Sequence, residues 1–236
     1  MIRYIGKEQA LFIAQKLRDE LIFNMAKAEG NPLTFAETST VIHGLSVAGH
    51  KMSDLHQVEN IRDGWDFVID AVRNNRFDID KGLFIHINAI VARDENPYPG
   101  DFRRGMVTIS GTKYTPPLAL VLNDHFKQMM DNYNTVGDMD SVMDLFLDTA
   151  RNQYFNDGNK RTGQLVMNGA LMMRGHAPFT FAPDADASFR EKLLNFYETG
   201  EKNDMRQFIY DQINEPRYLL MQEEIVQSDP SDDLVM

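Results

Sequence analysis

The 236-residue sequence contains no cysteine. This excludes a disulfide framework, a thiol nucleophile and any Cys-ligated zinc or iron–sulfur centre within the chain. Basic residues are the scarcer charge: 24 Lys and Arg stand against 35 Asp and Glu, a formal charge of −11. Sequence-independent nucleic-acid binding needs a basic surface to displace counterions, so no nucleic-acid partner is expected. A small basic pocket for a phosphate is compatible with the same balance. No stretch approaches the roughly 20 apolar residues that cross a bilayer. Residues 1–7 show neither an apolar segment nor a small-residue cleavage site. No membrane, no signal peptide and a cytoplasmic location are therefore the expectation. The segment 228–236, with Asp229, Asp232 and Asp233, reads as a solvated, frayed tail.

The helical period dominates what is present. Leu11, Ile13, Ala14, Leu17, Leu21 and Ile22 predict one helix over 8–28, stopped by Gly30-Asn31-Pro32. A short helical segment is expected over 37–42. A long helix follows over 53–75, with Ser53 as N-cap and Trp65 inward, and then a helix over 80–91 capped by Asp80. Val107 and Ile109 alternate with Thr108 and Ser110 before Gly111, which predicts a small β-hairpin. Pro116-Pro117 is expected to open a helix reaching about residue 133. Helices are further expected over 140–153, 165–174, 187–199, 203–213 and 215–227. No repeat and no dividing linker is evident. The fold class is all-α with one small β-hairpin flap, organised as an N-terminal helical segment (1–52), a core (53–213) and a C-terminal helix with its tail (214–236).

One loop carries chemistry. Asn156-Asp157-Gly158-Asn159-Lys160-Arg161 lies between two helices. A helix N-terminus offers free N–H groups and the positive end of the dipole to an anion. Lys160 and Arg161 in the first turn oppose that dipole, which makes sense if an anion neutralises them. Asp157 beside them suits Mg²⁺, which commonly uses one carboxylate plus phosphate oxygens. On composition alone, the same residues also read as an ordinary turn and cap.

The run Phe155-Asn156-Asp157-Gly158-Asn159-Lys160-Arg161 resembles the core of the Fic/Doc (Fido) signature, His-x-Phe-x-(Asp/Glu)-Gly-Asn-(Gly/Lys)-Arg. Gly100-Asp101-Phe102-Arg103 resembles the family's lead-in to its flap, and Val107 to Gly111 followed by Pro116-Pro117 resembles the flap itself. Ser39-Thr40-Val41-Ile42-His43-Gly44 resembles its inhibitory motif, (Ser/Thr)-x-x-x-Glu-(Gly/Asn). The resemblance implies AMP transfer from ATP, with Mg²⁺, to a Ser, Thr or Tyr hydroxyl of a target protein, and leaves room for a homodimer. It implies that Asp157 holds the metal. Gly158, Asn159 and Lys160 would form the anion hole and Arg161 would bind phosphate, with Gln164 lying near the nucleotide. The flap Val107, Thr108, Ile109, Ser110 and Gly111 would register the target, and Tyr197 falls where the family lines its adenine pocket.

Three positions depart from the pattern. Gln153 replaces the family's catalytic His, and an amide cannot serve as general base; loss of one costs about 10²–10⁴-fold. His43 stands where an inhibitory Glu is expected. Gln164 stands where many members have a second Arg, so a His43–Gln164 hydrogen bond is the expected substitute for the missing ion pair. Lys160 is characteristic of Doc-like phosphotransferases. Three functions follow: an adenylyltransferase slowed by Gln153, a catalytically silent nucleotide- or protein-binding homologue, and a Doc-like, toxin–antitoxin-type phosphotransferase. His50 and His56, six apart, do not share a helical face suited to zinc, and His86 is expected to pack between helices.

Overall fold

The computed structural model describes residues 2–181 and 186–227; the tail read over 228–236 lies outside them. The helices are α1 Lys7–Lys16, α2 Arg18–Ala28, α3 Phe35–Ile42, α4 Met52–Arg73, α5 Lys81–Val91, α6 Leu122–Val136, α7 Met139–Asn152, α8 Asn159–Met173, α9 Asp186–Thr199, α10 Asn203–Ile213 and α11 Pro216–Gln227, with a 3-10 turn at Ala119–Val121 before α6. The described residues form no sheet. Their one bridge is the antiparallel pair Phe102 and Phe155.

Helix α8 is the axis of the bundle. From Asn159 to Met172 every residue except Lys160 is buried, and α7, α5 and α4 pack against it. Gly163 makes the α7 contact possible, since a Cβ there would lie 3.1 Å from the Phe146 backbone. The N-terminal period was read as one helix but forms two. Leu17 (φ −93°, ψ 6°) leaves the α region and buries its side chain at the joint. The bend lets α1 reach α11 while α2 packs on α3 and α4.

Other boundaries also move, each for a local reason. Helix α4 begins one residue before Ser53, and Asp54 reaches back to the Lys51 N–H (3.2 Å), so Ser53 is not the cap. Asp80 does cap α5, accepting from the Leu83 N–H at 2.8 Å. Thr34 and Glu37 form a reciprocal capping box on α3. Pro116-Pro117 does not open a helix. A residue preceding proline is pushed to extended backbone, and the chain stays extended to Leu118 before the 3-10 turn.

The expected β-hairpin at 106–114 is an extended arm, a turn at Ser110-Gly111 and a returning arm, without strand pairing. The returning arm takes its partners elsewhere. Thr112 Oγ1 donates to Glu198 (3.1 Å), Tyr114 lies under the Arg151 guanidinium at 4.2 Å, and Gly111 sits against Leu194. A two-stranded ribbon alone is marginal in water, and α9 outcompetes the outgoing arm. His86 is exposed on α5 with its ring 4.5 Å from Phe67, a surface packing contact.

Candidate functional site

The corner between α7 and α8 is built by backbone geometry that few residues tolerate. Gln153 ends α7 in the left-handed region (φ 50°), and Gly158 precedes α8 at φ 74°. A Cβ on Gly158 would lie 3.0 Å from both the Ala92 Cβ and the Asn88 Nδ2. Asn88, fully buried on α5, explains that closeness. Its amide donates to the Asp157 carbonyl (2.9 Å) and to Thr162 Oγ1 (3.1 Å), and its oxygen accepts from the Gly100 N–H (2.9 Å). One side chain thus joins the corner, α8 and the approach to the flap.

Arg103 fastens the flap to the same corner. Its side chain is buried and donates only to carbonyls: Gln153 (2.5 Å), Gly105 (2.8 Å), Asn152 (3.3 Å) and Pro117. Both roots of the flap are therefore tied to the end of α7. Burial pulls the Arg103 pKa below the ordinary guanidinium value, and the C-terminal carbonyls of α7 supply the compensating negative potential.

A cavity of about 490 Å³ opens over this corner. It is lined by the loop from Asn156 to Lys160 with Gln153, by Thr108, Ile109 and Ser110 of the flap, and by the apolar Leu193, Leu194 and Tyr197 of α9. Asn156 and Asp157 are exposed here, whereas Gly158 and Asn159 are buried. Burial pushes the Tyr197 phenol well above its usual pKa, so it is a neutral ring at any working pH. Val107 and Gly111 of the expected flap set do not border the cavity.

Both ends of the Gln153 amide are hydrogen-bonded within the chain. Its Nε2 donates to the Ala150 carbonyl (2.6 Å), and its Oε1 accepts from Asn159 Nδ2 (3.0 Å). Asn159 also donates to the Phe155 carbonyl and accepts from the Phe155 N–H, both at 2.9 Å. The Asn159 side chain is thus spent on shaping the loop.

The two basic residues of the first turn are neutralised by carboxylates of the chain itself. Lys160 Nζ lies 3.3 Å from Glu29 Oε1, an ion pair whose geometry falls short of a hydrogen bond. Arg161, 1% exposed, donates from Nη1 to the Val91 carbonyl and Glu95 Oε1, each at 2.6 Å. Its Nη2 donates to the other Glu95 oxygen and to Asp157 Oδ1 (3.1 Å). Burial opposes the Arg161 charge, but the Glu95 hydrogen bonds, with Glu29 and Asp157, outweigh it and raise its pKa.

Other expected site residues lie apart. Gln164 is buried away from the cavity with Oε1 unpartnered. His43 is exposed at the end of α3, its Nδ1 2.7 Å from the Ser39 carbonyl, so the expected His43–Gln164 bond is not formed. Ser39 Oγ donates to Asp19, and neither Ser39 nor Gly44 borders the cavity. The carboxylate that does border it is Glu29, followed by Gly30. Glu29-Gly30 carries the Glu-Gly of the inhibitory pattern, the sequence signal that could have found it, with Met25 in its Ser/Thr position.

No group of three or more His, Asp or Glu suited to a metal occurs among the described residues. Mg²⁺ brought by a nucleotide needs only one or two protein carboxylates. Asp157 fits: its side chain is about half exposed and Oδ1 accepts from the Gly158 N–H at 2.6 Å, with Oδ2 facing no donor among the hydrogen bonds described.

Residues 78–171 match the Fic/DOC family. The chain is similar to proteins named protein adenylyltransferase Fic. It is 22% identical over 201 residues to that of Aedes aegypti and 26% over 198 residues to that of Drosophila melanogaster. In both cases 80% of this chain aligns but only 38% of the relative, so the chain spans well under half the length of these curated relatives. Among solved structures it is similar to Fic-1 of C. elegans (TM-score 0.77, 15% identity, 92% of this chain and 66% of that one). It is also similar to a Fic-domain-containing signalling protein of Bacteroides thetaiotaomicron (TM-score 0.76, 16% identity, 95% and 92%). At these identities the structural likeness shows the common all-helical fold alone. Among the described residues, no helix is long and apolar enough to cross a membrane.

Proposed function

The chain belongs to the Fic/DOC family, and from that premise we propose that it binds a magnesium nucleotide in the cavity over Asp157 and transfers AMP from ATP to a hydroxyl of a target protein, slowly. The observation that carries this reading is that one cavity is lined both by the half-exposed Asp157 with the first residues of α8 and by the flap residues Thr108, Ile109 and Ser110.

The N–H groups that open α8 and the Lys160 ammonium bind phosphate oxygens. Ile109, Leu193 and Tyr197 give the base an apolar enclosure. The extended, unpaired outgoing arm of the flap offers main-chain groups to an extended target segment. Mg²⁺ held by Asp157 would neutralise phosphate charge. Transfer then depends on position and electrostatics, since the hydroxyl proton meets no base from Gln153.

The locked Gln153 also favours a second reading, a silent nucleotide-binding homologue. Lys160 in the loop favours a third, phosphoryl transfer of the Doc kind. Parallel reactions with α-labelled and γ-labelled ATP separate all three. The unmodified chain is expected to transfer α-label weakly, and Gln153→His to raise the rate about 10²–10⁴-fold. Label from the γ-position alone overturns AMP transfer. No label from either position, with Gln153→His active, leaves the natural chain a binder.

A further inference from the structure

Asp157 is not held by its own loop alone. Its Oδ1 accepts from the Gly158 N–H (2.6 Å) and from Arg161 Nη2 (3.1 Å). Arg161 is held by Glu95, which takes one N–H from each terminal nitrogen of the guanidinium. Glu95 lies in the turn after α5. Its own N–H donates to the Ala92 carbonyl (3.2 Å), and Asn60 on α4 fastens the neighbouring Arg93 carbonyl at 2.7 Å. The carboxylate is therefore delivered from outside the loop, by the α4–α5 framework.

We infer that Glu95 is a positioning residue for Asp157, acting through Arg161 to fix which carboxylate oxygen stays available to a divalent cation on the nucleotide. The inference rests on the reading of the cavity as a magnesium–nucleotide site. A planar guanidinium in a bidentate grip has one orientation. With Glu95 on its outer edge, Arg161 presents a single remaining Nη2 donor to Asp157, and that donor takes Oδ1. Glu95 supplies the hydrogen bonds that most favour this buried cation, and the charges of Glu29, Glu95 and Asp157 add to them. Without it, Arg161 would turn to Asp157 as its nearest carboxylate, and the cation on the nucleotide would compete with a buried guanidinium for both oxygens. Partners that orient a metal-binding carboxylate change metal affinity by about 10–100-fold when removed.

The test uses the full chain and its Glu95→Gln and Glu95→Asp variants, with Mn²⁺ as the probe followed by electron paramagnetic resonance at saturating ADP. Glu95→Gln is expected to weaken Mn²⁺ about 10–100-fold, while ADP affinity in EDTA stays within about twofold or tightens. Glu95→Asp, which keeps the charge and shortens the reach, is expected to fall between, and it carries the test if Glu95→Gln does not fold. Mn²⁺ affinity within about twofold of the parent in both variants overturns the inference.

A second readout needs no nucleotide. The Gly158 amide reports the bond to Asp157 Oδ1, so its NMR resonance and exchange protection are expected to change in Glu95→Gln while amides of α1 to α3 stay put. An unmoved Gly158 amide overturns the relay. A Gly158 amide that moves as expected in a chain that binds no nucleotide overturns the functional reading alone.

Discussion

Glu29 stands where a phosphate would have to meet Lys160, and its removal gives the sharpest test of the cavity. In the present arrangement the Lys160 ammonium faces the Glu29 carboxylate at 3.3 Å, with side-chain exposures of 30% and 15%. A nucleotide phosphate must either displace that carboxylate or lie beside it. Breaking a fully buried pair by removing one partner costs about 3–5 kcal/mol, and an exposed pair is worth about 0–1 kcal/mol. This half-screened pair lies between the two, at roughly 1–2 kcal/mol. Glu29→Gln is expected to tighten ADP and ATP by the corresponding factor of about 5–30. Isothermal titration calorimetry with adenosine, ADP and ATP isolates the cause. Adenosine has no phosphate, so its affinity should not move, and the gain for ADP and ATP should shrink as salt screens the site. Unchanged or weaker ADP binding refutes the electrostatic argument. An equal gain for adenosine shows that cavity shape, not charge, was the obstacle.

Three further predictions concern the corner of the site and the cap of α3. Gly158→Ala puts an L-residue at φ 74° with its Cβ 3.0 Å from Ala92 and Asn88. It should cost roughly 1–2 kcal/mol from backbone conformation alone, about 2–8 °C in Tm, and an unchanged melting temperature would show that the corner relaxes freely. Thr34→Ala removes the α3 cap and should cost about 1 kcal/mol in chemical denaturation. Glu37 completes that cap. Its pKa is lowered to about 2, first by the Thr34 backbone N–H, then by the Thr34 hydroxyl and by His50. A lowered folded-state value means that its stabilisation is fully present above the unfolded value near 4.5 and is lost as pH falls through about 2. Urea melts of Glu37→Gln and the parent should therefore converge between about pH 4.5 and about pH 2; a constant gap across that range contradicts the assignment.

The corner was legible in the sequence because its chemistry is local. Gly158 supplies a positive φ, Asp157 an adjacent carboxylate and Asn159 a side chain that closes the loop on Phe155, all within five residues. The flap's lack of pairing was not legible. The partners that draw off its returning arm, Arg151, Leu194 and Glu198, lie roughly 40 to 85 positions downstream. The inhibitory-motif reading went to Ser39 and His43-Gly44, which keep the pattern's small residues but lack its carboxylate. Glu29-Gly30 keeps the carboxylate and loses the hydroxyl at Met25. The carboxylate is the part that can act on a phosphate, and weighting the motif by charge singles out Glu29. The end of α2 at Ala28 follows from Gly30-Asn31-Pro32, but the approach of Glu29 to Lys160, far along the chain, follows from no spacing rule.

Charge explains why this site has the form it has. Two cations in the first turn of α8 oppose the helix dipole, and an ion from solution was the expected remedy. The chain supplies the remedy itself, through Glu29 on Lys160 and Glu95 on Arg161. The two pairs are not equivalent. Arg161 is buried, gripped at both terminal nitrogens, raised in pKa and absent from the cavity lining, so a phosphate in the cavity does not reach it to replace Glu95. Lys160 is partly exposed, holds Glu29 without hydrogen-bond geometry and borders the cavity, so its partner can be exchanged at modest cost. On the proposed function, phosphate is expected to enter on the Lys160 side, with the Arg161 side as scaffold for Asp157.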